Sequence, residues 1–461
     1  PTKLVANRNF VLLMIGQAVS FTGDMMFTTT LVIWIALKLA AHQSWSPIAV
    51  SGVMLGAAAP TLLVGLFAGV FVDRANKRRM MLWMDGLRVV IVAALALVSG
   101  AFPLPFLPGG ALPLFWTLGA IYAVLVLVNI GEQFFRPSTM ALFQEIVPAE
   151  QQAQAMGATQ AILSLALVAG PAIGAPLYAA FGPVWAIVID AGSFAFSYLM
   201  ILLIRTQMAS APAPNTQTQP RAGFFRELSA GFRFYFSNRV LVTLLISIII
   251  GVTGASALNT LDVFFATQNL HATTAMYGFI GGVFGLGSIL GAIAIGAFAQ
   301  RIGLTRTLWV SMFAFGLLVM ALSRITNYDL ALGIFLVCGA LNAGLNVAAS
   351  PMMMRETPPD MMGRMMSIFQ PIMNLAILVA TGVIGYLAGV TLRGFSATWQ
   401  GMSFGPVDTI WLAGGALMAL SAVVIVVGLR GVDARYKRED RAKLAAAEAS
   451  ADEPLPIEAT A

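Results

Sequence analysis

Residues 69–79 read GVFVDRANKRR, and residues 296–306 read GAFAQRIGLTR. Both fit the pattern G-x-F-x-[DQ]-R, and each lies between two long apolar runs. A second pair of stretches answers in the same way: Val147-Pro148-Ala149-Glu150 is followed by Met156, and Thr357-Pro358-Pro359-Asp360 by Met366. A proline and an acidic residue suit the first turn of a following helix, where an N–H is dispensable and a negative charge meets the helix dipole. Convergent loop chemistry at membrane edges would produce one such echo. Two echoes at matching places indicate a duplicated half.

Outward from these stretches the chain is dominated by apolar runs. Hydrophobic residues make up 59% of the 461 residues and charged residues 10%, against roughly 25% charge in a soluble domain. The mean hydropathy is +0.85. A bilayer core takes about 20 apolar residues per helix. By that measure about twelve segments span it, near 10–38, 47–71, 80–101, 114–139, 156–181 and 183–205, then 239–267, 275–299, 304–323, 329–350, 366–391 and 408–429. The expected fold class is an all-α membrane protein with twelve transmembrane helices in two pseudo-symmetric six-helix bundles, residues 1–205 and 239–430. Residues 206–222 are polar and Pro-rich and read as a linker. In residues 223–238, Phe225, Leu228, Phe232 and Tyr235 recur at helical spacing. That stretch is either an amphipathic helix lying on the membrane or an extension of the seventh span. The tail 431–461 starts basic, ends acidic and Ala-rich, and is expected to be disordered.

Lysine and arginine set the orientation. Lys3, Arg8, Arg74, Lys77, Arg78, Arg79, the arginines of the central linker, Arg301, Arg306, Arg355, Arg364 and the basic start of the tail fall on one side. Lys38, Arg324 and Arg393 fall on the other. The positive-inside rule then places both termini in the cytoplasm. The net charge of +6 belongs to membrane-flanking loops and calls for no nucleic-acid partner. The one cysteine, Cys338, forms no intramolecular disulfide, and His42 and His271 lie in short connections without metal-ligand spacing. No cleavable signal peptide is read from the first apolar run. No nucleophile–base constellation or Walker A sequence is found, so neither enzyme chemistry nor ATP-driven pumping by this chain is expected, and no cofactor.

The stretch Gly69 to Arg79 resembles motif A of the major facilitator superfamily, with Asn76 where glycine is usual. Ala166-Leu-Val-Ala-Gly170-Pro171-Ala-Ile-Gly174-Ala175 resembles the antiporter motif C, with alanine for glycine at both ends. Asn9-Phe10, Gly16-Gln17, Ser20 and Gly23-Asp24, with Phe135-Arg136-Pro137 and Asp190-Ala191 then Ser193-Phe194, resemble the third drug:proton antiporter branch, which includes macrolide and enterobactin exporters. The basic residue usual in the middle of the fourth helix is not evident. The resemblance covers residues 8–430. It implies a gating role for Gly69, Asp73, Arg74, Arg78, Gly170, Pro171 and Gly174, with Asp73 latching the outward-open state.

Ionisable groups inside a bilayer are expensive, so each needs an account. Asp24 lies within the first helix on a stripe with Gln17, Ser20 and Thr28, spaced three and four residues apart. Such a stripe suits an aqueous cavity, and a lone desolvated carboxylate is poised to take up a proton. The alternative is a structural carboxylate capped by its neighbours. Glu132 shares a face with Asn129 and Arg136. Either Glu132 and Arg136 neutralise each other as an i,i+4 pair, or Glu132 is a second protonation site and Arg136 holds an anionic group. Asp85 and Arg88 suit a structural salt bridge, and Asp190 a structural role. Asp262, near Asn259 toward the outer end of the seventh helix, either lines the outer cavity or reaches the interface, while Asn342 and Asn346 on the tenth helix and Gln370 and Asn374 on the eleventh suggest a cavity wall, or hydrogen bonds between helices.

These features describe a secondary transporter, a class built from such repeats with its substrate site between the halves. The reading is a proton-coupled exporter, or antiporter, of an amphipathic or drug-like molecule, of the kind that confers drug resistance by efflux. Facilitated uptake or flux of a nutrient, siderophore or lipid is the alternative, and a non-transporting receptor or scaffold is the reading of another class. The expected partners are a small-molecule substrate, protons and the lipid bilayer, with the chain acting as a monomer.

Overall fold

A computed structural model describes residues 7–41, 43–98, 112–205, 224–358, 361–399 and 402–451. Among them, twelve helices are long and apolar enough to cross a bilayer. The first half holds α1 (Arg8–Trp34), α2 (Ser46–Leu63), α3 (Gly65–Arg74), α4 (Lys77–Val98), α5 (Leu114–Ile146), α6 (Gln152–Phe181) and α7 (Pro183–Leu203). After α8 (Phe224–Ser237), the second half holds α9 (Arg239–Phe264), α10 (Thr274–Ile302), α11 (Leu304–Leu322), α12 (Tyr328–Glu356), α13 (Met362–Tyr386) and α14 (Pro406–Gly428). A short hairpin, β1 (Ala397–Trp399) with β2 (Met402–Phe404), precedes α14, and α15 (Val432–Ala451) follows it. The architecture is all-α and two-halved, as expected.

The duplication is visible in local chemistry. Asn7 caps α1 by accepting from the Phe10 amide, and its own amide donates to the Ile146 carbonyl at the end of α5. Asn238 caps α9 through the Val240 and Leu241 amides and donates to Glu356 at the end of α12. The first span is thus tied to the fourth, and the seventh to the tenth, by an asparagine followed by an arginine. Both α1 and α9 then end in a wider five-residue turn, Ile35–Leu39 and Phe265–Asn269.

Helices α5 and α12 run past the apolar stretches that mark their spans. Both stop two residues before a proline, Pro148 and Pro358, because proline disfavours helical geometry in the residue preceding it. Between α2 and α3 the helix breaks at Val64, four residues after Pro60. Within lipid, helices associate through close packing rather than a hydrophobic drive, so small residues sit at the crossings. A methyl group on Gly287 would overlap the Leu336 carbonyl, and one on Gly339 would overlap that of Phe284, which is how α10 and α12 come together.

One alternative left open by the sequence is decided, and one reading changes. The stretch after the linker is a separate helix, α8, and not an extension of the seventh span: Asn238 breaks it from α9 and caps the latter. Tyr235 is buried, and Gly231 packs against Ile368 and Arg364 of α13. The linker 206–222 lies outside the described residues. The tail expected to be disordered forms α15, because its first turns are docked. Asp433 accepts from the Thr305 amide at 3.0 Å, Tyr436 donates to Glu356 at 2.8 Å, and Arg355 pairs with Asp440 at 2.7 Å. Its alanine-rich, Lys/Glu-bearing continuation favours helix. Residues 452–461 lie outside the description.

The halves meet through α6 with α10 and through α2 with α13. Gly278 lies against the Pro171 carbonyl and Ala175, Gly282 against Ala172, and Gly385 against Ser51 and Pro47. These contacts cluster towards the start of α2 and α10 and the end of α6 and α13. They close the molecule on the face opposite α8 and α15.

Candidate functional site

Inside the first half, four helices converge on one guanidinium. Arg88 of α4 is 2% exposed. Its Nη2 donates to Glu132 Oε2 of α5 at 2.5 Å, and its Nη1 lies 3.6 Å from Asp85 Oδ1, one turn back. The Phe135 and Phe194 rings flank it, with centroids 5.0 and 5.3 Å away. Gly131 makes the room, since a methyl group there would stand 3.2 Å from Arg88 Nε. Asp24 on α1 lies within electrostatic range of Arg88, Glu132 and Asp85, and Asp190 on α7 within range of Asp24 and Arg88. Ser193 donates to the Asp190 carbonyl at 2.8 Å and lies against Gly23, the neighbour of Asp24. Two carboxylates, Asp85 and Glu132, therefore sit against one guanidinium, and two more, Asp24 and Asp190, lie within its electrostatic range.

The sequence reading of this region changes in one respect. Glu132 is not paired with Arg136. Arg136 is exposed and lines an opening of about 330 Å³ with Gly65, Gln133, Pro137 and Met140. Arg88 takes its place as the partner of Glu132. The cation missing from the fourth span thus comes from the third. Arg88 and Asp85 are the structural salt bridge that their spacing suggests, and their burial is the part that sequence could not supply. The signal present was an arginine eight residues beyond the start, near residue 80, of an apolar run.

The other candidates sort by contact. On α1, Ser20 is buried and Gln17, Asp24 and Thr28 are half-buried. On α5, Asn129 donates back to the Leu125 carbonyl at 2.8 Å, and Gln133 reaches Thr61 at 3.2 Å. Asp262 accepts from Tyr277 of α10 at 2.9 Å and from the Val263 amide at 2.7 Å, so it ties α9 to α10. Asn259, Asn346 and Gln370 are exposed, Asn342 and Asn374 half-exposed. The amides of Asn259 and Asn346 bond only within their own helices, to Ala255 and Asn342. Among the described residues, neither one cross-links helices.

Of the gating residues, Gly170 and Gly174 let α6 approach α1 at Met25 and Met26, while Pro171 turns towards α10. Arg78 donates from Nε and Nη2 to the Ile201 and Leu202 carbonyls and so caps α7. Asn76 accepts from the Arg79 amide and starts α4. Gly69, Asp73 and Arg74 fall in or beside the last turns of α3, and their side chains lie outside the described residues.

Two bundles of six spans, meeting on one face, match a known architecture. The sequence profile of the Major Facilitator Superfamily matches residues 13–379 and again 245–457. The chain belongs to the Major Facilitator Superfamily. It is a transporter of that family and not an enzyme. It is 24% identical over 412 residues to the MFS-type transporter YkuC of Bacillus subtilis, covering 86% of this chain and 89% of that one. It is 22% identical over 369 residues to macrolide efflux protein A of Streptococcus pyogenes, covering 78% and 85%. It is 30% identical over 220 residues to the multidrug efflux pump Tap of Mycobacterium bovis, covering 46% and 47%. A bacterial homologue of the iron transporter ferroportin, in an inward-facing state, superposes with a TM-score of 0.69 at 13% identity, covering 93% of this chain and 100% of that one. The nucleoside transporter NupG superposes with a TM-score of 0.67 at 14% identity, covering 92% and 99%. Those two share the fold.

Proposed function

We propose that this superfamily member is a proton-coupled exporter of an amphipathic or drug-like small molecule, working by alternating access with both termini in the cytoplasm. The observation that carries the reading is the cluster of Asp24, Asp85, Glu132 and Asp190 around Arg88. One guanidinium balances one carboxylate. The group therefore carries more carboxylates than cations inside the span, and in this reading it takes up and releases the coupled proton as a unit. It spans α1, α4, α5 and α7, so any movement that wets one side of the bundle changes its charge balance. Across 100 mV one elementary charge is worth about 2.3 kcal/mol.

Macrolide efflux protein A and the multidrug efflux pump Tap support export as the direction. Closure on the face opposite the termini supports a state open to the cytoplasm, from which an exporter loads. The exposed Arg136, Asn346 and Gln370 and the half-exposed Asn342 and Asn374 are the proposed cavity wall, in a chain that acts as a monomer. The test is substrate flux in proteoliposomes with and without an imposed pH gradient, after a thermal-shift screen against macrolides, siderophores, lipids and sugars identifies a ligand. Flux indifferent to the gradient refutes the coupling. Accumulation from outside to cytoplasm refutes the direction.

A further inference from the structure

At the end of the second half that carries α8 and α15, a cavity of about 580 Å³ opens between α8, α9, α12 and the turn joining α14 to α15. Arg239, Arg430 and Arg435 line it against a single carboxylate, Glu356. Arg435 is committed to Glu356. Arg239 uses one N–H on the Val427 carbonyl at 3.1 Å. Arg430 is exposed and has no ion pair among the described residues. The cavity therefore keeps an excess of positive charge from Arg239 and Arg430. Gly431, with φ at 83°, makes the turn between α14 and α15 that leaves Val432 and Arg435 in the same cavity lining as Arg239 and Val240. Gly428 lies against Thr243, so the wall between α14 and α9 is backbone-close.

The same cavity adjoins apolar surface. Val423 and Val427 of α14 are 53% and 63% exposed, and Phe236 of α8, next to the lining residue Ser237, is 55% exposed. Exposed valines on a spanning helix belong to the acyl region, and a phenylalanine on an amphipathic helix to its boundary. Charge excess above and apolar flank below is the arrangement a two-chain anionic lipid satisfies, with a phosphate diester among arginines and tails along α14.

We propose that this cavity binds the headgroup of an anionic phospholipid of the leaflet on the terminus-bearing side, and that the bound lipid joins α8, α14 and α15 into one inner face. Only the naming of the leaflet as cytoplasmic rests on the function proposed above. The readout is binding, so it stands or falls apart from transport.

The test is titration of the purified full-length chain with phosphatidylglycerol and with phosphatidylcholine, read by native mass spectrometry. The parent protein should retain phosphatidylglycerol over phosphatidylcholine. Arg239→Ala with Arg430→Ala should weaken that binding about tenfold, since each basic group near an anionic surface contributes severalfold. Arg301→Ala with Arg306→Ala, at the far end of α10 and start of α11, should leave it unchanged. Arg239→Lys with Arg430→Lys keeps the charge and should keep most of the binding, which holds the test open if the alanine pair folds poorly. Equal loss in the Arg301/Arg306 pair would mean a diffuse basic ring and overturn the site. Displacement of the lipid by an equal concentration of glycerol phosphate would assign the cavity to a soluble phosphate ester and overturn the lipid. No preference for phosphatidylglycerol in the parent protein would overturn both.

Discussion

Arg88 of α4 donates to Glu132 of α5 across 2.5 Å, while Arg136, one turn further along α5, looks into an opening beside α3. Replacing Arg88 would leave Asp24, Asp85, Glu132 and Asp190 with no cation among them. Removing one partner of a buried pair costs about 3–5 kcal/mol. Arg88→Met should therefore lower the thermal unfolding temperature of the detergent-solubilised protein sharply, and Arg136→Met should leave it nearly unchanged. Equal small shifts in both would show that the cluster carries no structural weight.

Asp24 has no direct ion pair among the described residues, whereas Glu132 is held by Arg88. Asp24→Asn keeps shape and most hydrogen bonding but cannot release a proton. It should abolish flux driven by a pH gradient and leave passive exchange measurable. Glu132→Gln should do so less completely, because Glu132 is already engaged by Arg88 while Asp24 is not. A gradient response like the parent's in Asp24→Asn would make Asp24 structural.

The halves meet where Gly282 faces Ala172, with 3.3 Å between the alanine Cβ and a Cβ built on the glycine. Disulfides take Cβ atoms about 3.5–4.5 Å apart. In a Cys338→Ala background, Gly282→Cys with Ala172→Cys should crosslink on oxidation, stop transport, and recover on reduction. Transport that persists in the fully crosslinked protein would show that this seam never opens.

Asp73→Asn, on the motif that resembles a latch, should leave substrate binding nearly intact and slow turnover, since it acts on the exchange of states. Unchanged turnover in reconstituted vesicles would remove the latch.

Tyr436 of α15 is buried and donates to Glu356, and both burial and that carboxylate push its hydroxyl above the ordinary phenol range near 10. A phenol raised on folding contributes stability that is complete below its unfolded value. That contribution is lost as pH rises from there through the folded value. Docking of α15 should accordingly hold at neutral pH and weaken above about pH 10. Tyr436→Phe should cost about 1 kcal/mol at pH 7 and flatten the alkaline part of the unfolding curve. Hydrogen exchange of α15 followed against pH checks this.

The sequence by itself determined the spans, their basic face and the duplication. Hydropathy and charge asymmetry are local quantities, and so are the prolines that stop α5 and α12. It also marked Asp24 and Glu132, because an ionisable residue in an apolar run is conspicuous without coordinates. What it offered as the partner of Glu132 was the neighbour one turn away, Arg136. Only the tertiary structure decided for Arg88. Along one helix, spacing fixes which side chains share a face, but not which other helix packs against that face. The gathering of Asp24, Asp85, Glu132 and Asp190 around Arg88 depends on the rotation of α1, α4, α5 and α7 about their axes. That rotation is set by close packing at Gly23 and Gly131, where no single helix carries the information. The docking of α15 follows the same rule: its polar composition reads as a free tail until Glu356, Thr305 and Arg355, distant in sequence, meet it.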